Sequence, residues 1–153
     1  MQFVGKQERQ LDDKGRIALP APYRSRLGDS CYLLKGEDKC IEVHPMDKFD
    51  ALAEEMMAAE QRGEVHRHRR RTLAGSAQLV AVDKQGRVKI SDDLLTFAGI
   101  PGESLVVVAG NFDRLEIWEP ERRRRVEAAG DEELGGDDDL DQHARPATAG
   151  TAP

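Results

Sequence analysis

One pattern occurs twice in this chain and constrains its fold more than any other feature. Leu11-Asp12-Asp13-Lys14-Gly15-Arg16-Ile17-Ala18-Leu19 returns as Val82-Asp83-Lys84-Gln85-Gly86-Arg87-Val88-Lys89-Ile90, an offset of 71 residues from Arg16 to Arg87. Both copies read apolar-Asp-x-x-Gly-Arg-apolar-x-apolar. Each continues with a helix-start signal, Pro20-Ala21-Pro22-Tyr23 or Ser91-Asp92-Asp93-Leu94, and each short helix is expected to end near a glycine, Gly28 or Gly99. A hairpin follows in both. The first runs Cys31–Lys35, turns at Gly36-Glu37-Asp38-Lys39 and returns as Cys40–Pro45; the second runs Leu105–Ala109, turns at Gly110-Asn111-Phe112-Asp113 and returns as Arg114–Pro120. The order strand, turn, strand, short helix, hairpin is thus a supersecondary unit present twice. A unit of roughly 45 residues buries too little apolar surface to stand comfortably alone, so the two are expected to share a core.

Between the copies, Pro45-Met46-Asp47-Lys48-Phe49 opens an amphipathic helix to about Gln61, with Phe49, Leu52, Ala53, Met56 and Met57 on one face and Pro45 or Asp47 at its start. A matching helix is expected from Glu121 to Ala129. The organisation read from the sequence is a first module over 5–47, a helix and basic linker over 48–75, a second module over 76–119, a C-terminal helix over 120–130 and an acidic disordered tail over 131–153.

The net charge of −6 argues superficially against a nucleic-acid partner, but its distribution does not. From Glu127 onward there are eight acids and one base; the rest of the chain keeps 21 of the 29 acids and 22 of the 23 bases. The body is balanced and the acidity belongs to the tail. No apolar run approaches the roughly 18 residues of a membrane span, and MQFVGKQERQ has no apolar leader core, so the expectation is a cytoplasmic protein. Cys31 and Cys40 fit that compartment. If the first hairpin turns at Glu37–Asp38, Cys31 faces His44 and Cys40 faces Lys35, and both are expected as free thiols.

The repeated turn is the candidate site. Its glycine, Gly15 or Gly86, permits positive φ or a close approach to another chain. The arginine that follows, Arg16 or Arg87, supplies a rigid charged fork suited to phosphate and to the O6/N7 edge of guanine. Asp12 and Asp83, four residues earlier, can pair with that arginine or accept turn N–H bonds, and either role orients the guanidinium. Lys14 in one copy, and Lys84 with Gln85 in the other, stand at the turn tip. The bland alternative is a tight turn holding only its own salt bridge. Ile17, Leu19, Val88 and Ile90 read as core, as do Tyr23 and Phe97 on the short helices; Trp118 and His44 read as packing positions.

These residues resemble the twin Asp-x-x-x-Arg motifs of the MraZ family, over roughly residues 1–125; Gly75-Ser76-Ala77 and Arg114-Leu115-Glu116-Ile117-Trp118 are similar to that family too. The resemblance implies an α+β, β-rich fold of tandem SpoVT/AbrB-like swapped-hairpin modules, forming one pseudo-symmetric barrel with flanking helices. It implies a ring-shaped homo-oligomer and a nucleoid-associated regulator of the bacterial division and cell-wall gene cluster, acting on short promoter repeats of double-stranded DNA. The family's DNA-contacting positions fall here on Asp12 and Arg16 and on Asp83 and Arg87. Lys84-Gln85 stands where the first copy has Asp13-Lys14, so the two copies need not contact DNA equally.

Other features carry less. His66-Arg67-His68-Arg69-Arg70-Arg71 reads as a solvated linker, a phosphate contact or an assembly contact. Its two histidines lack a third ligand at metal-site spacing. Arg122–Arg125 cannot all face one groove from a helix, which favours a solvated or subunit-contacting role; the acidic tail is read as folding back on that run or competing with DNA. No nucleophile elbow, P-loop or catalytic carboxylate pair is present, so no cofactor, metal or small-molecule substrate is expected. The rival readings are a protein-interaction module without DNA specificity and, more remotely, a small enzyme.

Overall fold

Alternating apolar residues, glycine turns and two proline- or serine-started helices build the same elements twice. The computed structural model describes residues 2–136. The first copy supplies β1 (Lys6–Gln10), β2 (Arg16–Ala18), α1 (Ala21–Leu27), β3 (Ser30–Lys35) and β4 (Ile41–Pro45). α2 (Met46–Gln61) and α3 (Arg67–Ser76) follow. The second copy supplies β5 (Gln78–Ala81), β6 (Arg87–Lys89), α4 (Asp92–Ala98), β7 (Leu105–Asn111) and β8 (Arg114–Trp118). Residues up to Pro120 form one unit; those from Glu121 form another, which holds all of α5 (Pro120–Leu134) but its first residue. α5 runs four residues past the expected end at 130. The rest of the expected tail, 137–153, lies outside the described residues. Among the described residues no helix is long and apolar enough to cross a membrane.

The strands on either side of each repeated turn do not pair with each other. β1 pairs antiparallel with β7 of the second copy, and β5 with β3 of the first; β2 pairs with β6. The result is a six-stranded antiparallel sheet of order β1-β7-β8-β4-β3-β5 and a separate two-stranded ribbon. Exchanging the strands of one copy for those of the other turns that order into its own reverse, so the sheet has a pseudo-twofold at β4·β8. The sheet is open, with β1 and β5 as edges, rather than a closed barrel, because β2 and β6 pair only with each other. β1 guards its edge with Lys6, Glu8 and Arg9.

The core lies between the sheet and the ribbon. Ile17 and Val88 from the ribbon, Leu19, Leu94 and Ala98 near or on the short helices, and Leu33, Ile41, Val43, Val106, Val108, Leu115 and Ile117 from the sheet are all essentially buried. Burying such a side chain stabilises by about 1.5–3 kcal/mol. Tyr23 is buried as expected and donates to Val4 O at 2.5 Å; Phe97 is only half-buried, beneath the Lys35 ammonium. α2 begins after Pro45 and stacks Phe49 on Tyr32 at 3.8 Å.

Both hairpins depart from the turns expected of them. In the first, Gly36 N–H reaches Cys40 O at 2.8 Å around a short 3-10 turn at Glu37–Lys39, so the loop has three residues, not two. Partners shift by one: Cys31 faces Pro45 and Tyr32 faces His44. Both cysteines are free and buried, and burial pushes the Cys31 thiol up to about 12. In the second, Asn111 pairs with Arg114, so Gly110 and Asn111 belong to the strand and only Phe112–Asp113 turns. Gly110 is a glycine for another reason. The Phe3–Val4 backbone crosses it so closely that a Cβ would lie 2.4 Å from Phe3 C and Val4 N.

Gly110→Ala is therefore expected to destabilise the fold by about 1–3 kcal/mol, because backbone rather than a side-chain tip must move. Gly75→Ala, at a helical position with nothing within 4 Å, is expected to stabilise by about 0.5–1 kcal/mol. Urea unfolding followed by Trp118 fluorescence checks both; an unchanged midpoint for Gly110→Ala contradicts the crossing.

Candidate nucleic-acid interface

Asp12 builds the first turn. Its Oδ1 accepts the backbone N–H of Lys14 at 2.9 Å and of Arg16 at 2.8 Å, and its Oδ2 accepts Arg16 Nε at 2.8 Å. Asp83 repeats this with Gln85 N–H at 2.9 Å, Arg87 N–H at 2.8 Å and Arg87 Nε at 2.9 Å. Both roles open to the aspartate are thus filled at once: one oxygen organises the backbone and the other aims the guanidinium. The Arg16 backbone N–H is the main cause that holds the Asp12 carboxyl below its ordinary value. The Arg16 side chain and the Lys14 N–H act the same way, against partial desolvation. Asp83 is held down likewise, first by the Arg87 backbone N–H. Ionised carboxylates in this arrangement are poor general acids.

Each clamp uses Nε, and among the described residues it is the one side-chain hydrogen bond of either guanidinium. The Nη donors are left for a ligand. The Arg16 and Arg87 side chains are 30% and 31% exposed, so neither is sealed inside the protein.

The two turns are also fastened to each other's copy. Gly15, at φ +77°, offers its carbonyl to Ile90 N–H at 2.8 Å; Gly86, at φ +75°, offers its own to Leu19 N–H at 2.8 Å. On the ribbon, Arg16 stands opposite Lys89, Ile17 opposite Val88 and Ala18 opposite Arg87. Ile17 and Val88 point into the core, so alternation puts Arg16, Lys89, Arg87 and Ala18 on the outward face. Lys14, Lys84 and Gln85 are exposed at the tips. The structure therefore brings the sequence-predicted residues to one ribbon and its two ends, with Gly86 buried at the second end.

Two cations were not among them. Lys89 sits at an outward position of the motif, a placement that strand alternation alone makes legible. Arg24 had no such signal. It reaches from α1 across the second turn, where a Cβ on Gly86 would lie 2.0 Å from Arg24 Nε, and its Nε donates to Leu19 O at 2.8 Å.

The basic run between the copies is a helix rather than a linker. His66 Nδ1 accepts His68 N–H and starts α3, Arg69 pairs with Glu37 at 2.6 Å and Arg70 with Glu60 at 2.8 Å. On α5, Arg123 pairs with Glu127 and Arg124 with Glu121. At the pseudo-twofold, Glu42 stands opposite Glu116 with Cys40 nearby, and Arg114 Nε lies 3.6 Å and 3.7 Å from the two carboxylates. A guanidinium thus already balances this group.

A family model described as "MraZ protein, putative antitoxin-like" matches residues 2–71 and 73–134. Three relatives are each named transcriptional regulator MraZ. One from a Nocardioides species is 38% identical over 84% of this chain and 88% of its own length. One from Thermomicrobium roseum is 35% identical over 78% and 82%. One from Corynebacterium jeikeium is 35% identical over 90% and 94%. With both Asp-x-x-Gly-Arg turns in place on a paired ribbon, and with a match that runs through both copies, this chain belongs to the MraZ family.

Proposed function

We propose that this chain is a sequence-specific, DNA-binding transcriptional regulator and not an enzyme. The observation that carries the reading is the pair of arginines, each clamped through Nε by its aspartate, on the outer face of a two-stranded ribbon. A two-stranded ribbon is one of the shapes that fit the major groove, and arginine is the side chain that reads guanine there. The relatives' names support regulation of transcription. Arg16 and Arg87 act as base readers, Asp12 and Asp83 orient them, and Lys14, Lys84 and Gln85 meet the DNA backbone at tips that Gly15 and Gly86 shape.

The finer reading follows the family resemblance. The two modules form a swapped-hairpin pair, which the exchange of β1 and β5 between copies supports. The chain assembles as a ring-shaped homo-oligomer in the cytoplasm, associated with the nucleoid. It binds short promoter repeats upstream of the division and cell-wall gene cluster. One ribbon offers few contacts, and several linked ribbons on successive repeats raise affinity through effective concentration. Phosphate contacts set affinity and its salt dependence, and base contacts set preference.

Arg16→Ala is expected to weaken binding to a duplex from upstream of its own gene by about 1–3 kcal/mol, and Lys14→Ala to weaken that duplex and a scrambled one alike. Full retention of upstream binding by a folded Arg16→Ala/Arg87→Ala variant contradicts the assignment. Fluorescence anisotropy titrations read both.

The clamps also set a pH expectation. A carboxyl held below its ordinary value of 3.8 contributes fully above that value and loses its contribution as pH falls through the lowered one. Binding should therefore show no dependence on Asp12 or Asp83 between about pH 5 and pH 8, and Asp12→Asn/Asp83→Asn should weaken it throughout that range. A slope in the parent protein over that range that the double variant abolishes runs against the clamp.

A further inference from the structure

The two tips are built on equal backbones but receive unequal second cations, each from the other copy. At the first tip, Arg16 faces Lys89 across the ribbon. The repeat counterpart of Lys89 is Ala18, 71 residues earlier, and it faces Arg87. At the second tip, Arg24 lies against Gly86, so close that only a residue without a Cβ lets it pass. The repeat counterpart of Arg24 is Leu95, which sits near Gly15 with Cδ1 4.0 Å from the position of a Cβ there. Each tip therefore has an aliphatic side chain where the other has a cation. Among the described residues neither Lys89 nor Arg24 makes an ion pair, so both charges are available to an anion.

Their geometries differ in kind. Lys89 is exposed on the outward ribbon face, beside the guanidinium assigned to base reading. Arg24 is pinned through Nε to Leu19 O, the residue whose N–H meets Gly86 O, and its Nε and Cζ lie 2.0 and 2.2 Å from where a Gly86 Cβ would be, so its guanidinium is held at the turn backbone. A flexible ammonium in a groove adds acceptor recognition at base edges; a fork fixed at a turn suits a phosphate.

We infer that the two tips are not interchangeable: Lys89 is a specificity-determining residue serving Arg16, and Arg24 is a phosphate-binding residue serving Arg87. The chain then reads its DNA with a direction, the Arg16 end contributing preference and the Arg87 end grip. This rests on the DNA-binding reading above.

The test uses the full chain and two labelled duplexes, one from upstream of its own gene and one scrambled at the same composition, titrated over a salt series. Lys89→Ala is expected to weaken the upstream duplex about tenfold and the scrambled one far less, lowering the ratio between them. Arg24→Leu is expected to weaken both duplexes alike and to reduce the salt slope by about one unit. Because Arg24 also satisfies Leu19 O, Arg24→Lys is measured beside it and should recover most of the loss if the charge is what matters. Equal loss on both duplexes for Lys89→Ala, no loss at all, or a change in the specificity ratio for Arg24→Leu overturns the inference. The parent reading fails separately: if a folded Arg16→Ala/Arg87→Ala variant keeps upstream binding, the ribbon is not the DNA surface, whereas loss there with an unaffected Lys89→Ala variant sinks only the division of roles.

Discussion

Two backbone hydrogen bonds hold the functional surface together: Ile90 N–H to Gly15 O and Leu19 N–H to Gly86 O, both at 2.8 Å. Each takes the carbonyl of a turn in one copy to the strand end of the other. They require the turn to present that carbonyl outward from its own strand, and this is what positive φ at a glycine permits. They lengthen the pairing of β2 and β6, two three-residue strands that as so short a pair would be marginal in water. With them, Ile17 meets Val88 above the core and the four neighbouring side chains turn outward. The aspartates act one step later. Once the turn is closed, Asp12 and Asp83 spend one oxygen on its N–H groups and the other on the arginine, so backbone geometry and guanidinium direction are set by a single residue in each copy.

The same reciprocity organises the large sheet. β1 and β5 cross to the opposite copy's hairpin, and β4 and β8 meet at the pseudo-twofold, with Glu42 opposite Glu116. Like charges directly opposite are unfavourable in an antiparallel pair. They are tolerated here because Arg114 lies between them, His44 Nε2 sits 2.8 Å from Glu42 Oε1, and Trp118 Nε1 and Asn111 Nδ2 donate to Glu116. The register is still forced: a slip of one residue would turn the glutamates into the core and Ile41, Val43, Leu115 and Ile117 out of it. The buried polar group is thus a consequence of a register that the apolar face dictates.

Most of this was legible wherever it rests on local chemistry. Ser91 and Pro20 mark helix starts, Gly28 and Gly99 mark their ends, alternation marks the strands, and the doubled motif identifies both the candidate site and the family. What was not legible depends on contacts between distant segments. Gly110 reads as a turn residue because nothing nearby in the chain reveals that Phe3–Val4 crosses it. The three-residue loop at Glu37–Lys39 depends on Asp38 and Lys39 adopting positive φ, at 57° and 62°, which their identities do not announce. The basic run from His66 to Arg71 reads as a linker because no apolar period supports a helix. It folds as one because His66 caps it and Glu37 and Glu60 neutralise two of its arginines. Arg24 joins the site only through a fold that brings α1 of one copy over the turn of the other.

That last point bears on how such a repeat can diverge. The residues that must match between copies are those answering to the shared backbone: the aspartate that closes the turn, the glycine that lends its carbonyl, the arginine it clamps and the apolar residues beneath. Ala18 and Lys89 answer to no such constraint, since both stand on the outward face of the ribbon, whereas Leu95 is held in the core and Arg24 is held by Leu19 O across a glycine that leaves it room. A change at Ala18 or Lys89 alters the charge near one tip without touching the hydrogen bonds from Gly15 O and Gly86 O that define both. The fold therefore holds two equivalent scaffolds while leaving their surfaces free to differ, and in this chain that freedom has placed one extra cation near each tip by two different routes.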